Sequence, residues 1–296
     1  MLKTVLDGAV AIHFYRPAPE LTPYISTYYL TEVNLEAGGK VIDWLHPEWA
    51  NLRFTSDGRL SSALGEAPLH ELPSVVFAGP SSVATHFQIE GPARIWGVGI
   101  LPLGWARLMS IPASELVDTV VSPLDGGASA HFAPIVERVF TGERDPAGEA
   151  ARIDAFLLEF LAARPASEDE PKILAAHTAL VDDDVASVGE LAERLGISAR
   201  SLERLSLRAF GFPPKLLLRR QRFLRSLAQF MLDPSLKWIK TLDFHYVDQA
   251  HFVRDFRRFM AMSPSRYAAA EHPVLRAAAQ ARNASAGAAV QGLHKP

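Results

Sequence analysis

The chain contains no cysteine. Disulfides, thiolate nucleophiles, iron–sulfur clusters and cysteine-ligated zinc are therefore excluded together. It also lacks any apolar run near the ~18–20 residues that cross a bilayer. The stretch from Met1 to Glu20 has no sustained apolar core followed by a small-residue cleavage site. The expectation is a cytoplasmic protein without a membrane partner. His13, His46, His70, His86 and His131 are scattered, with no H-x-H pair of the kind that ligates metal in cupin-type barrels. His70-Glu71 is followed by Leu72-Pro73-Ser74 rather than the x-x-H of a zinc peptidase. Gly79-Pro80-Ser81 is not a nucleophile elbow, and Gly97-Val98-Gly99 lacks the third glycine of a dinucleotide loop. These absences lead to the expectation of no catalytic residues, no metal and no cofactor, and hence of a protein that is not an enzyme.

What is present is a division of charge. The net charge of −3 combines −13 over residues 1–186, +8 over residues 187–267 and +2 over the remainder. An acidic front joined to a basic back points to a polyanion-binding module carried by a domain that does not bind polyanions.

The pattern of the chain divides similarly. Runs at Ile25–Leu30, Asn51–Thr55, Ser74–Phe77, His86–Ile89 and Arg94–Val98 hold β-branched and aromatic residues between turn signals. One of those signals is Ser56-Asp57-Gly58, expected as a turn between Phe54 and Leu60. Helical spacing begins after Trp105, with Phe132, Ile135, Val136 and Val139, and again with Ile153, Phe156, Leu157, Phe160 and Leu161. The fold class expected is α+β: a β-rich amino-terminal domain with flanking helices, then an all-α domain of two helix-turn-helix units joined by a long helix. The expected boundaries are a sensor or dimerisation domain at 1–164, a linker at 165–171 rich in proline and acids, a DNA-binding domain at 172–271, and a disordered, alanine-rich tail at 272–296.

Ser187 and Glu190 form the S-x-x-E pattern that starts a helix. Gly196 permits the left-handed residue that ends it, and Ser198 can cap the next. In that second helix Leu202, Leu205 and Ala209 face inward. Arg200, Arg204 and Arg208 recur every four residues, drifting about 40° per step, along the other side. Guanidinium forks suit guanine edges and phosphates. The spacer from Pro214 to Leu232 starts at a proline and ends before Asp233-Pro234, giving a helix of roughly 28 Å. Two recognition helices on such a spacer could enter successive major grooves of B-DNA, whose repeat is ~34 Å. Arg219, Arg220, Arg222 and Arg225 on the spacer are phosphate-contact candidates, with a plain solvated face as the alternative. Asp248 is placed to cap the last recognition helix, and Phe252, Phe256 and Phe259 have core spacing.

The text Ser198-Ala-Arg-Ser-Leu-Glu-Arg204, Gly211-Phe-Pro-Pro-Lys215, Tyr246-Val-Asp-Gln-Ala-His-Phe-Val-Arg-Asp-Phe256 and Ser263-Pro-Ser-Arg-Tyr267 resembles the AraC/XylS family of transcription regulators. The resemblance implies double-stranded DNA as partner. It also implies contacts from Arg200, Ser201, Glu203, Arg204 and Arg208 in the first unit, and from Gln249, Ala250 and Arg254 in the second. His251 packs or caps more readily than it reads bases. The family has glycine where this chain has His245 and Ala261, and apolar and small residues where it has Lys240 and Thr241. The turn geometry and base reading of the second unit are therefore in question. Segments at Trp44–Phe54, Phe77–Pro80 and Ile95–Gly104 are similar to an amino-terminal domain of uncharacterised role found in some family members. Trp44, His46, Trp49, Arg53, Trp96 and Trp105 are candidates for an effector pocket, with burial in the core as the competing explanation for the tryptophans. RNA polymerase, a small-molecule effector and a second copy of the chain are further candidate partners. Two alternatives stay open: an enzyme domain fused to a DNA-binding domain, and a constitutive DNA-binding protein whose front domain only dimerises.

Overall fold

The computed structural model describes residues 3–6, 9–182 and 184–296. The front of the chain forms an antiparallel sheet from β1 (Lys3–Leu6), β2 (Val10–Tyr15), β3 (Ile25–Val33), β4 (Lys40–Leu45), β5 (Asn51–Leu64), β6 (His70–Glu71), β7 (Val75–Ala78), β8 (Thr85–Ile100) and β9 (Val120–Val121). The path runs β1-β2-β3-β8-β5-β7-β9, with β4 also on β8 and β6 also on β5. Strand β8 holds the sheet together. It pairs with β4 over Thr85–Glu90 and with β3 over Ala93–Ile100, while β5 follows it on the other side.

Asp57-Gly58 is not a turn. Strand β5 continues through it as a bulge, with register shifts at Thr55/Asp57 and Asp57/Arg59. Gly58 takes φ +84°, and a Cβ there would lie 2.3 Å from Ala93 Cβ, so only glycine lets the strand bend against its neighbour. A turn dipeptide and a strand bulge have the same composition, and the long partner strand decides between them.

Side chains alternate across the sheet. Tyr28, Leu30, Leu52, Phe54, Trp96 and Val98 face a core shared with the helices α1 (Pro102–Leu108), α2 (Ile135–Val139) and α3 (Pro146–Ala163). Within it Glu149 is buried and accepts hydrogen bonds from Trp96 Nε1 at 2.6 Å and from Arg94, so the buried carboxylate is both paired and hydrogen-bonded.

After α3 the chain is helical: α4 (Glu170–Val181), α5 (Val188–Arg194), α6 (Ala199–Ala209), α7 (Pro214–Leu232), α8 (Trp238–Thr241), α9 (Gln249–Met260) and α10 (Pro264–Ala269). The two parts are packed together. Trp49, Leu101 and Leu103 of the front share a core with α4, α5, α6 and α7, and the backbone N–H of Ala84 donates to Phe259 O at 2.7 Å.

Residues 272–296 are not a disordered tail. They form α11 (Leu275–Ala286) and a single 3-10 turn, Gln291–Leu293, which return to the face of the sheet opposite α2 and α3. Asp43 of β4 accepts from the backbone N–H groups of Val274 and Leu275 at 3.0 and 2.9 Å, satisfying the start of α11 from another part of the chain. Alanine-rich composition suits close packing here: Ala279 and Ala281 are buried against α7 and the sheet respectively. A Cβ at Gly99 would lie 2.3 Å from Ser26 Oγ and 2.7 Å from Gln291 Nε2, so glycine on β8 is what admits the end of the chain.

Candidate nucleic-acid interface and front-domain cavity

The first helix-turn-helix unit is α5 and α6. Ser187 accepts from Glu190 N while the Glu190 carboxylate accepts from Ser187 N, closing the capping box. Gly196 takes φ +62° in the turn, and Ser198 accepts from Ser201 N at 3.2 Å to start α6. Leu202, Leu205 and Ala209 are buried. Arg200, Glu203 and Arg204 are exposed, and both guanidiniums are without a partner among the described residues. Ser201 is half-buried and its hydroxyl meets that of Ser198 at 3.0 Å, so it serves the cap. Arg208 is exposed but forms an ion pair with Asp169, just ahead of α4.

In the second unit Asp248 accepts from His251 N at 2.6 Å and starts α9. Gln249, Ala250 and Arg254 lie exposed on its first turns, and Arg257 and Arg258 continue that side. Phe252, Phe256 and Phe259 are buried. Ala261 occupies the left-handed region, φ +55° and ψ 19°, where a Cβ is disfavoured. His245 does not: it keeps a negative φ, and its backbone N–H donates to Asp243 Oδ1 at 3.0 Å. Thr241 is buried with its hydroxyl donating to Trp238 O at 2.9 Å, and Lys240 is exposed. The departures from the family pattern are thus absorbed in one short helix and one strained residue.

The spacer arginines do not form a free phosphate-binding row. Asp255 of α9, fully buried, holds Arg219 and Arg222 and also accepts from Tyr246 OH at 3.2 Å. Arg225 Nε donates to Asp243 Oδ2 at 2.5 Å. Arg220 points the other way, into the front domain. It is fully buried, its guanidinium carbon lies 3.8 Å from the Trp49 ring centroid, and it donates to Ser81 O at 3.0 Å. Burial pushes its pKa down to about 9. Helical spacing marked these residues as basic but could not say which partner each one meets. Sequence reasoning passed over Lys215, exposed at the start of α7 beside Ser187 in the groove between the two units. Its position after the Pro213-Pro214 helix start was the available signal.

The six front-domain candidates do not surround one cavity. Trp96 and Trp105 belong to the core between sheet and helices. Trp49 packs against His177, Phe210 and Arg220 at the junction of the two parts. Trp44 stacks on His86 with ring centroids 5.0 Å apart. His46 is buried with Nε2 2.8 Å from Tyr267 OH, and desolvation pushes its pKa down to about 4. Only Arg53 and His46 line the open space on the other face of the sheet. There two adjoining hollows, of about 80 and 100 Å³, share Tyr29, Thr31, Leu45, Glu48, Arg53 and Val274. The first is lined largely by apolar strand residues, the second by strand residues and by α11 with the turn after it.

Two helix pairs whose second helices are capped, exposed and basic, set on either end of one long helix, define a helix-turn-helix DNA-binding protein. Residues 191–270 match the family described as "Helix-turn-helix domain", and residues 13–122 match a "Domain of unknown function (DUF6597)". The chain thus carries a helix-turn-helix domain in its second half and that domain of unknown function at its front. No curated protein matches it by sequence. Among solved structures it is similar to the apo form of a ToxT variant with one lysine replaced by alanine, from Vibrio cholerae, at 13% identity over 81% of this chain and 96% of that one, with a TM-score of 0.42. Wild-type ToxT from the same organism with an unsaturated fatty acid bound shares 10% identity, over 90% of this chain and 96% of that one, with a TM-score of 0.41. KdgF from Halomonas sp. is similar to the front alone, at 10% identity over 34% of this chain and 86% of that one, with a TM-score of 0.25. Among the described residues no helix is long and apolar enough to cross a membrane.

Proposed function

We propose that this protein is a sequence-specific transcription regulator whose two helix-turn-helix units enter successive major grooves, and whose front domain senses a small molecule. The observation that carries the DNA-reading part is the pair Arg200 and Arg204: exposed on a recognition helix capped by Ser198 and without a partner among the described residues. A guanidinium that no carboxylate holds is available for bidentate contact with guanine. In the second unit Gln249 and Arg254 are the base-contact residues, and Lys215 in the groove between the units contacts the intervening phosphates. Spacer α7 runs over Pro214–Leu232, so its length of roughly 28 Å suits one turn of the duplex.

Sensing is supported by the hollow around Arg53 and by its surroundings. Glu48 and Ser81 line it, and their carbonyls are also the acceptors of Arg220 on the spacer. A molecule bound there would press on the same residues that seat α7, which is the helix that sets the two recognition helices apart. A second copy of the chain on a paired operator and contact with RNA polymerase complete the proposal, in the cytoplasm. The test is selection of bound fragments from sheared genomic DNA, with and without metabolite extract. Enrichment of one motif whose retention changes with extract supports both halves. Uniform retention of all fragments would remove the first.

A further inference from the structure

The cavity on the open face of the sheet is walled by both ends of the chain, and one of its two arginines has no ion pair among the described residues. From the sheet comes Arg53, whose Nε donates to Tyr29 OH at 2.8 Å and whose Nη2 donates to Glu48 Oε1 at 2.5 Å. That cation is matched. From α11 comes Arg282, only 6% exposed. Its Nη1 donates to Thr27 Oγ1 at 2.9 Å and its Nη2 to Ser26 Oγ at 3.0 Å, while Nε has no partner. Among the described residues no carboxylate pairs with it. Two hydroxyls and the nearby Phe14 ring are its immediate company, and Glu48, already paired with Arg53, acts on it only from beyond ion-pair distance. Burial lowers its pKa to about 10.

Taking a guanidinium out of water without a counter-ion is costly, and natural interiors pair such groups. Arg282 lines a hollow of about 100 Å³, so the missing partner has room. The adjoining hollow is bounded by Leu60, Val76, Phe87, Ile89 and Ile95, which offer an apolar body nothing to hydrogen-bond. Glu48 is held by Arg53, so the unpaired Arg282 offers a site for one carboxylate.

We propose that this cavity binds a small organic monoanion, its carboxylate on Arg282 and its apolar body among the strand side chains, and that residues 272–296 form a wall of the site. The proposal rests on the reading of the front domain as a sensor and names what it senses. The bound anion would touch a segment that is itself tied to the spacer, since Gln221 Nε2 of α7 donates to Gly292 O at 2.7 Å.

The experiment is calorimetry and thermal denaturation of the full chain with sodium butanoate through decanoate and benzoate, against the matched primary alcohols. Wild-type protein should bind the longer carboxylates or benzoate, and each matched alcohol about tenfold more weakly or less. Arg282→Gln should erase the difference between acid and alcohol, and Arg282→Lys should retain part of it. Circular dichroism verifies the fold of both variants. Equal binding of acids and alcohols, or acid binding unchanged in Arg282→Gln, would overturn the anion assignment while leaving a sensing cavity in place. Binding of no member of either series would overturn the proposal together with the sensor reading of this cavity. DNA retention, measured on the same samples, reports separately on the helix-turn-helix units.

Discussion

Arg220 of the spacer helix lies with its guanidinium carbon 3.8 Å from the ring centroid of Trp49 in the front domain. A residue from the DNA-binding half is thus completed by one from the other half, and its remaining acceptors, Ser81 O and Glu48 O, also belong to the front. The two halves are joined through the helix that positions both recognition helices. Removing the indole should therefore cost more than a surface contact would: Trp49→Ala is expected to destabilise the protein by about 3–5 kcal/mol. It should also split one calorimetric unfolding transition into two. A single unshifted transition would show that the halves do not depend on this contact.

Asp255 is fully buried and holds Arg219 and Arg222 against α9. Removing one carboxylate leaves two guanidiniums without their counter-ion, so Asp255→Ala should lose about 3 kcal/mol or more of stability. Urea denaturation measures it. A change below about 0.5 kcal/mol, the usual size for surface substitutions, would mean the network contributes little.

Ala261 sits in the left-handed region at φ +55°. Ala261→Gly removes the Cβ conflict there and should stabilise the protein by about 1 kcal/mol, against the usual direction of an alanine-to-glycine change. Loss of stability in the urea midpoint would show that the strain is negligible.

The pH dependence follows from His46, which burial holds near pKa 4 against an ordinary value of 6.5. Between those values the unfolded chain takes up a proton that the folded protein refuses. The contribution is fully present above pH 6.5 and is lost as pH falls through 4, with a span of about 3 kcal/mol at about 1.36 kcal/mol per pH unit. His46→Gln keeps a donor or acceptor for Tyr267 and cannot titrate, so its stability should fall less steeply over that window. Identical slopes in the two proteins would remove His46 as a cause.

The helix-turn-helix units were legible in the sequence because their signals are local. Ser187 with Glu190, Gly196, Ser198 and Asp248 each act within four residues, and the structure uses each of them as expected. What was hidden depended on distant partners. Arg220 and Arg222 are two residues apart in one basic stretch, yet one enters the front domain and the other pairs with Asp255. Trp96 and Trp49 look alike as tryptophans near polar residues, and only the sheet register separates the helix-covered core from the junction. The end of the chain was misread for a related reason. Its alanines predict weak burial in isolation, whereas Asp43 and Gly99, over a hundred residues earlier, create the place where it docks.

That docking is testable by itself. Gly99→Ala places a Cβ 2.7 Å from Gln291 Nε2 and 2.3 Å from Ser26 Oγ, which should displace the end of the chain. Limited proteolysis should then cut within residues 272–296 several-fold faster than in the wild type, with the remainder intact. Unchanged cleavage would show that the segment accommodates the methyl group.

The most direct test of the DNA-binding account is the affinity of the full chain for its selected operator and for random DNA of equal length, across a salt series. The account predicts specific retention, with log K falling against log salt at a slope near −5 or steeper for six or more phosphate contacts. Arg204→Ala should weaken operator binding by about 1–3 kcal/mol and relax selection at one position. Equal affinity for operator and random DNA, unchanged by Arg204→Ala, would contradict it.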